Sequence, residues 1–416
     1  MKRLLLVGAG HAHAQVLLDW AAAPLPGVEL VVVSPSTKAP YSGMVPGWLA
    51  GHYRFDEICI NFAALAAAAG AGWVSDETVG IDPARQRLVL RSAPPLDYDV
   101  LSLNIGSTLT PPALPAGNTL LLCLRPLGAL HSAWQTTLAR LATLPAEQAL
   151  RITAVGAGAA GFESLLAVRR QVLRLQPQRP VECRLLDRGS RLLAGLAPAA
   201  VRHAHRALAA AGITLQLGSD YRTSGSGPAA NVALAANAAG ATNAAGATGA
   251  TNPTNSTNAA GPTNVASAAS AAATELLLWA TGAQAHGWQQ GSGLAVNEAG
   301  YFSVDRCLRS TSHPNVHAAG DCAAWAEPLP KSGVFAVRMG PVLSHNLRAA
   351  LSGTPPLEYK PQRRVLSLLS TGHGRAIAAW GPWAAEGRWV WRWKDHIDGG
   401  FVRHYNRPQP GLQRRP

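Results

Sequence analysis

Two glycine-rich turns, each placed between a short apolar strand and a helix, constrain the fold of this 416-residue chain more than any other feature. In the second turn, a predicted strand over residues 151–155 precedes a complete GxGxxG motif, and a helix over 162–175 follows it. This order places backbone N–H groups and a helix N-terminus against a pyrophosphate group. The glycines of this motif are therefore predicted to bind a dinucleotide: Gly156, Gly158 and Gly161.

The residue that ends the next strand, at 181–186, indicates which dinucleotide this is. It is Asp187, and a carboxylate there accepts hydrogen bonds from the adenosine ribose diol and repels a 2′-phosphate. We therefore expect NADH to be favoured over NADPH as the NAD(P)H substrate. Arg184 and Arg188 lie close by in the sequence and leave the opposite preference open.

The first turn lies near the start of the chain and is less complete. Gly8 permits the tight turn, and Gly10 lets phosphate groups approach the backbone. His13 occupies the third glycine position, and Ser34 ends the next strand where an acid is usual. A serine hydroxyl still hydrogen-bonds a ribose, though more weakly than a carboxylate. Two turns predict two dinucleotides, and hydride chemistry needs an acceptor such as a flavin beside the nicotinamide.

Length and hydropathy narrow the class of protein further. A chain of 416 residues exceeds the roughly 250–300 at which one core stops growing, so several domains are expected. No apolar run reaches the roughly 18–20 residues that span a bilayer, which excludes an integral membrane protein. The apolar stretch behind Met1 stops at Gly8 and is too short for a signal peptide. We expect a cytoplasmic protein.

The five cysteines show neither a CxxC pair nor a metal-ligand spacing. We therefore predict no disulfide framework and no metal site. Buried, inert thiols are the expected state of most of them. A redox role for Cys322 is the alternative.

Two shifts in composition divide the chain. Residues 223–274 consist mainly of Ala, Gly, Asn, Thr, Ser and Pro and carry no charge, so they are predicted to be a disordered insertion in a surface loop. From residue 359 onward, eleven basic side chains face three acidic ones and five tryptophans are concentrated. We expect an α/β protein in three parts: a discontinuous FAD-binding domain, an NAD(P)H-binding domain and a small C-terminal module. Their predicted bounds are 1–110 with 283–350, 111–282, and 351–416.

Four further segments occur in a recognisable order. They are a strand and turn at 98–107, an Ala-Thr-Gly at 280–282, a segment at 313–321 ending in Gly320-Asp321, and a segment at 330–338. With the two glycine turns, this order resembles the two-dinucleotide-binding-domain flavoproteins, the pyridine nucleotide-disulfide oxidoreductase superfamily. The resemblance covers most of residues 1–350 and implies two Rossmann-like domains.

The resemblance also implies which residues bind the cofactors. For FAD it implies Gly8, Gly10, His11, Ser34, Ser42, Gly43, Asn104, Gly106, Gly320, Asp321 and Gly333. For NAD(P)H it implies Gly156, Gly158, Gly161, Asp187, Thr281 and Gly282.

Within the superfamily, the text at 10–13, 40–47, 335–338 and 391–395 is similar to one subgroup. This is the flavoprotein related to type II NADH dehydrogenases and sulfide:quinone reductases that is sometimes fused to selenide, water dikinase. No dikinase domain is present, so a selenium connection rests on analogy alone.

Three reaction types and one non-enzymatic role compete. A disulfide reductase would need a CxxxxC near residues 40–50, and none is there. A sulfide:quinone reductase needs cysteines beside the flavin, and Cys322 has no evident partner. An NAD(P)H dehydrogenase passing electrons to a quinone-like acceptor fits best, although Val337-Arg338-Met339-Gly340 departs from the family's quinone-pocket text. A slow flavoprotein that senses or scaffolds in selenium or sulfur handling stays open.

Two side chains are candidates for catalysis. Glu163 matches a glutamate that type II dehydrogenases place near nicotinamide and flavin; alternatively, it only favours its helix N-terminus. Lys331 would stabilise negative charge on a reduced flavin; alternatively, it is a surface lysine.

The tryptophan-rich tail interleaves indoles with cations, which favours an anionic membrane surface on the inner face of the cell membrane. Packing onto the flavin domain and a homodimer contact are the alternatives. Nucleic acid is not expected as a partner, since no nucleic-acid fold precedes the tail.

Overall fold

The protein is described from a computed structural model over residues 1–114, 118–221 and 273–407. Most of the predicted insertion, residues 223–272, lies outside the described residues, while Thr274 at its end begins a strand.

The described residues form twenty strands. They are β1 (Lys2–Val7), β2 (Val28–Val33), β3 (Lys38–Pro40), β4 (Cys59–Asn61), β5 (Gly72–Val74), β6 (Thr78–Asp82), β7 (Arg87–Leu90), β8 (Leu96–Asp97), β9 (Val100–Leu103), β10 (Thr119–Cys123), β11 (Leu150–Val155), β12 (Val181–Asp187), β13 (Ile213–Leu217), β14 (Thr274–Trp279), β15 (Phe302–Ser303), β16 (Val316–Ala318), β17 (Ala323–Ala324), β18 (Ser367–Ser370), β19 (Ala376–Trp380) and β20 (Trp383–Gly387).

Eight α-helices accompany them in the same part of the chain. They are α1 (His11–Ala22), α2 (Val45–Leu49), α3 (Phe62–Ala68), α4 (Leu127–Thr143), α5 (Ala159–Leu175), α6 (Pro198–Ala210), α7 (Gly333–Ser352) and α8 (Arg388–Asn406).

Two five-stranded parallel sheets form the framework. The first has the order β16-β9-β1-β2-β5 and the second β10-β14-β11-β12-β13. The central strand β1 is buried on both faces, with Leu4, Leu5 and Leu6 inaccessible to solvent, which is why its sequence is a continuous apolar run. The prediction of an α/β fold with two Rossmann-like sheets is confirmed.

The helix predicted over 162–175 begins three residues earlier, because α5 starts directly after Gly158. Helix α1 likewise starts directly after Gly10. In both cases the third motif position belongs to the first turn of the helix. Gly161 therefore lies inside α5, where any Cβ would collide with the carbonyl oxygen of Gly156.

The C-terminal residues contact both nucleotide-binding units. Strands β18, β19 and β20 form an antiparallel sheet, and Glu386 at its edge accepts a hydrogen bond from His203 of α6. Helix α8 packs on the other unit, where Tyr405 donates to Gln15 of α1. The C-terminal module is thus bonded to both nucleotide-binding units. The domain bounds given above remain a prediction.

We expect deletion of residues 223–272, with a short Gly/Ser closure between Arg222 and Ala273, to preserve the fold. The entropic cost of closing a loop grows by only about 0.6 kcal/mol per doubling of its length, so the shortened protein should be equally or slightly more stable. Thermal unfolding of both forms, with bound flavin measured by absorbance, checks this. Loss of folding would show that the segment contributes to the core.

Candidate functional site

The first glycine turn is formed by close backbone approach. Gly8 has φ +91°, and a Cβ there would lie 2.7 Å from the carbonyl oxygen of Asn104. A Cβ on Gly10 would overlap the side-chain amide of the same asparagine. Both glycines are therefore required by contact with the residue that follows β9.

The side chain of Asn104 is committed to backbone groups. Its Oδ1 accepts the N–H groups of Ala12 at 3.0 Å and His13 at 3.4 Å, and its Nδ2 donates to the carbonyl of Ala319 at 2.6 Å. It was predicted to contact FAD, but in this structure its amide joins the start of α1 to the segment after β16. Its observed contacts position the turn.

His13, at the third glycine position, fills the gap with hydrogen bonds. Its Nδ1 lies 2.7 Å from the carbonyl of Gly8, which can only accept, so this nitrogen carries the hydrogen. Its Nε2 accepts from the hydroxyl of Ser102 at 2.9 Å. Burial lowers the pKa of His13 to about 4, so the ring is neutral.

His11 begins α1 and is partly buried, with one ring nitrogen buried and unpaired. Its Nε2 has no partner among the described residues, and its ring lies edge-on to Tyr41 at 5.5 Å. Burial lowers the pKa of His11 to about 4, and the negative charge of Asp321 acts in the opposite direction.

Three predicted cofactor-binding glycines face open space. A Cβ on Gly106, Gly158 or Gly282 would meet no atom within 4 Å. By contrast, Gly156 is closed in by the carbonyl of Ala280, and Thr281 N lies 3.3 Å from the position of its Cβ. The second turn thus combines tight backbone packing at Gly156 and Gly161 with an open position at Gly158, while Gly106 and Gly282 lie beyond the ends of β9 and β14.

Asp321 is paired with Arg125, which the sequence analysis missed. Its Oδ2 accepts from the guanidinium at 2.5 Å and from the Ser107 hydroxyl at 3.3 Å, and Arg125 also donates to Ser107. Arg125 follows β10 at the carboxyl edge of the second sheet, where ligand-contacting residues collect. The position of Arg125 after β10 is the one sequence signal for its role, and it is visible only if β10 is first predicted as a strand of the second sheet.

Asp321 and Lys331 line a cavity of about 120 Å³. The ammonium group of Lys331 donates to the carbonyl of Ala323 and lies 3.9 Å above the ring of Tyr301. Burial lowers the pKa of Lys331. This lysine is half-buried, and its predicted role toward a reduced flavin stays a prediction.

The segments predicted to lie along the flavin meet each other. A Cβ on Gly333, at the start of α7, would lie 2.6 Å from the hydroxyl oxygen of Ser42. A Cβ on Gly43 would lie 2.8 Å from the ring of Tyr41. Gly320 has φ +73°, and its Cβ would lie 2.8 Å from Nδ2 of Asn104.

Ser34 is buried at the end of β2, and its hydroxyl donates to the carbonyl of Ser36 at 3.2 Å. This local bond holds the hydroxyl in a turn.

In the second turn, Asp187 binds the backbone on both sides. Its Oδ2 accepts the N–H of Ala157 at 2.5 Å, and its Oδ1 accepts that of Gly189 at 2.6 Å. Arg184 is held elsewhere, by Glu275 at 2.9 Å and Thr153 at 2.7 Å. Of the two arginines that could favour a 2′-phosphate, only the exposed Arg188 remains available.

Glu163 lies in the first turns of α5, covered by β18. Its Oε1 accepts the backbone N–H of Ser370 at 2.6 Å, and the residue is 8% exposed. Burial raises the pKa of Glu163 to about 7, against the opposing effect of the Lys394 ammonium. A carboxyl that changes charge near neutral pH is suited to proton exchange.

Cys322 is fully buried, and its thiol points at the carbonyls of Leu103 and Ala319. Burial raises its pKa to about 11, which opposes formation of a reactive thiolate. All five cysteines are free, and no cluster of metal-ligating side chains occurs among the described residues.

The family model for pyridine nucleotide-disulphide oxidoreductases matches residues 2–340. The chain belongs to this family. It is an oxidoreductase and a flavoprotein of the kind that works with a pyridine nucleotide.

Solved structures of related fold agree in architecture. The sulfide:quinone oxidoreductase from Aquifex aeolicus has a TM-score of 0.70 at 15% identity, covering 97% of this chain and 92% of that one. NDH2 from Plasmodium falciparum in complex with NADH has a TM-score of 0.68 at 13% identity, covering 98% and 99%. The NADH-bound water-forming NADH oxidase from Lactobacillus brevis has a TM-score of 0.62 at 19% identity, covering 92% and 75%.

We expect Glu163→Gln to gain stability relative to the natural protein as pH rises. The pKa of this carboxyl is about 7 in the folded state against 4.5 ordinarily, so its stabilising contribution is complete below pH 4.5 and lost as pH rises through 7. The difference in unfolding free energy between pH 4.5 and 8 should be on the order of 3 kcal/mol. Denaturant titrations measure it, with the exposed Glu298→Gln as control. A pH-independent difference would contradict the raised pKa.

Proposed function

We propose that this protein transfers hydride from NADH to FAD and passes the electrons to a quinone-like small acceptor. The observation that carries the proposal is the pair of glycine turns. Each joins a parallel strand to a helix and contains glycines whose Cβ positions are excluded by neighbouring atoms, while open positions lie at Gly158 in the second turn and at Gly106 and Gly282 beyond the ends of β9 and β14. Bound flavin would supply the redox chemistry, while the protein orients both dinucleotides and holds charge beside them.

FAD would be held by the first turn and by Asp321. Gly8 and Gly10 hold the backbone of the turn against Asn104, with α1 starting directly after Gly10, so that the helix N-terminus would face the diphosphate. Asp321 keeps one carboxylate oxygen for a ribityl hydroxyl, because Arg125 engages the other. We add Arg125 to the residues that hold the flavin.

Asp321→Ala should purify with less flavin than the natural protein. Loss of the carboxylate leaves a buried ribityl hydroxyl and the Arg125 guanidinium without their partner, which costs roughly 1–3 kcal/mol or more. Flavin per protein, measured by absorbance after gel filtration, gives the result. Asp305→Ala, away from the turns, serves as control. Full flavin content in Asp321→Ala would contradict the proposal that Asp321 binds FAD.

Asp187 supports the preference for NADH. Its carboxylate lies against the N–H of Ala157 in the second turn, where it would repel a 2′-phosphate, and Arg184 is held by Glu275. Asp187→Ala should narrow the ratio of kcat/KM for NADH over NADPH. This ratio is measured because a loosened turn would weaken the binding of NADH and NADPH equally and leave the ratio unchanged. If the natural protein already prefers NADPH, the nucleotide preference is set by Arg188 and not by Asp187.

A lipid-soluble acceptor is supported by the outer face of the C-terminal module. Five large apolar side chains are exposed there: Trp380 and Trp383 at the tip of the β19–β20 hairpin, and Trp389, Trp393 and Ile397 one helical turn apart along α8. Indoles favour the membrane–water interface. No described helix is long and apolar enough to cross a membrane.

Some tryptophans of the tail pack against the rest of the protein and others are exposed. Internal packing therefore describes the first group, and membrane contact is proposed for the second. Trp391 lies 4.7 Å from the ring of His52, whereas Trp389 and Trp393 stack on each other in solvent. Arg388 and Arg392 flank them and are exposed. We propose that this face binds an anionic membrane surface, from which a quinone reaches the flavin.

Replacing Arg388 and Arg392 together by Gln should weaken binding to anionic liposomes roughly thirtyfold at low salt, since each cation contributes about 1 kcal/mol. Trp389→Ser with Trp393→Ser should weaken binding in high salt as well. The exposed Leu357→Ser is the matched control. Equal sedimentation of all forms with the liposomes would contradict the proposal of membrane binding. Self-association that depends on concentration and is lost in the Trp variant would favour a homodimer contact instead.

Anaerobic titration of the yellow protein tests the function as a whole. NADH should bleach the flavin within milliseconds to seconds, and a panel of quinones, selenium compounds and sulfur compounds should then reveal the acceptor by reoxidation. Bleaching that takes many minutes would favour a sensor or scaffold.

A further inference from the structure

Strand β14, which runs into the second glycine turn, carries one charged side chain, that of Glu275. Its Oε1 accepts from the guanidinium of Arg184 at 2.9 Å and from the hydroxyl of Thr153 at 2.6 Å. Arg184 reaches this carboxylate from β12 across β11, and its Nε donates to Thr153 at 2.7 Å. The hydroxyl of Tyr221 donates to Oε2 of Glu275 at 3.3 Å. The network thus joins three neighbouring strands of the second sheet.

This network is mostly removed from solvent. Thr153 is inaccessible, and the side chains of Arg184 and Glu275 are 14% and 17% exposed. Taking two charges out of water is costly, and apolar side chains of similar volume often stabilise a protein as well or better. The best-attested use of a buried polar contact is to select one alignment of the chain over others.

The apolar residues of β14 do not select an alignment. Leu276 and Leu278 pack in the core under α4, α5 and α6, while Leu277 and Trp279 pack on the opposite face of the sheet. Because both faces are apolar, the hydrophobic pattern still fits after the strand has shifted. The neighbouring strands β10 and β11 lie over a hundred positions earlier, so no short turn fixes the register either.

Glu275 distinguishes the registers that the leucines leave equal. A shift by one residue would direct its carboxylate into the apolar core under the helices, where a charge without a partner is costly. A shift by two residues would keep the face but move Glu275 roughly 6–7 Å away from Arg184. Only the observed register satisfies the carboxylate.

The register of β14 decides which residue meets the second glycine turn. Ala280 follows the strand, and its N–H donates to the carbonyl of Val155 at 2.9 Å. A Cβ on Gly156 would overlap the carbonyl oxygen of Ala280, and a Cβ on Gly161 would lie 3.3 Å from its methyl group. A shift by two residues would bring the much larger side chain of Leu278 to this place, and the turn could not close on it.

We propose that Glu275, with Arg184 and Thr153, is a positioning residue that fixes the register of β14 and thereby the fit of Ala280 to the second glycine turn. The inference rests on the proposed function only in assigning NADH to this turn, since the register is a property of the protein alone. Without the network, molecules with β14 in different registers should coexist, and one register alone should form the turn.

Glu275→Leu, alone and combined with Arg184→Leu, tests the proposal. The single variant leaves a mostly buried guanidinium unpaired and should be less stable whatever the role of the pair. The double variant removes both charges and should recover stability, but its register should stay unspecified. Glu275→Gln keeps the hydrogen bonds and should keep the register. Arg151→Gln is the matched control, because it breaks the Arg151–Glu182 pair on the same face without touching β14.

Hydrogen–deuterium exchange of the peptide that contains β14, followed by mass spectrometry without nucleotide, measures the register. The natural protein and both Gln variants should show one population. The double variant should show two or more of comparable size, on the order of half each, because the apolar pattern does not separate them. In flavin-loaded protein, calorimetry should find the number of NADH sites reduced by the same fraction, with an unchanged Kd at the remaining sites.

One exchange population in the double variant would overturn the proposal, and if Glu275→Leu does not fold, the double variant alone decides. Two populations with a full number of NADH sites would show that the turn tolerates the shift, which would contradict the positioning role. If the natural protein binds neither NADH nor NADPH, the proposed function fails, while hydrogen exchange still shows whether Glu275 fixes the register.

Discussion

The side-chain amide of Asn104 is the contact on which the first nucleotide-binding unit depends. It ties the end of β9 to the beginning of α1 and to Ala319, three segments far apart in the sequence. No other side chain offers an acceptor and a donor of this size at these angles, because aspartate lacks the donor and leucine lacks both. Gly8 and Gly10 are small because this asparagine is there, and Asp321 is placed by the segment it holds.

The second glycine turn has the same pattern but a different anchor. Asp187 reaches back from the end of β12 and accepts the N–H of Ala157, so this carboxylate holds the turn. Under the proposed function the same residue would also select the nucleotide. In the first turn these two roles are separate, since Asn104 supports the backbone and Ser34, turned toward Ser36, lies where the acid would be.

The fold was predictable because its signals are local. Glycines between an apolar run and a helical pattern specify a βα turn within a dozen residues, and both parallel sheets formed as expected. Arg125, Ser370 and the Lys394–Asp398 pair carry no such signal. Arg125 and Ser370 bond to residues about 200 positions away, and Lys394, which pairs with Asp398 within α8, also bonds to the distant Gly43. Only the folded chain shows that a basic, tryptophan-rich helix has a buried charged face as well as an exposed aromatic one.

The position of β14 affects how the protein is made. This strand lies between β10 and β11 and pairs with both, while β10 has no other neighbour in its sheet. On the ribosome, β10 emerges first and must wait through about 150 residues for the strand that binds it. At roughly 5–20 residues per second this interval is about eight to thirty seconds. Throughout it, two apolar strand edges are exposed, so the nascent chain depends on chaperones or on rapid packing of α4 and α5 to avoid aggregation.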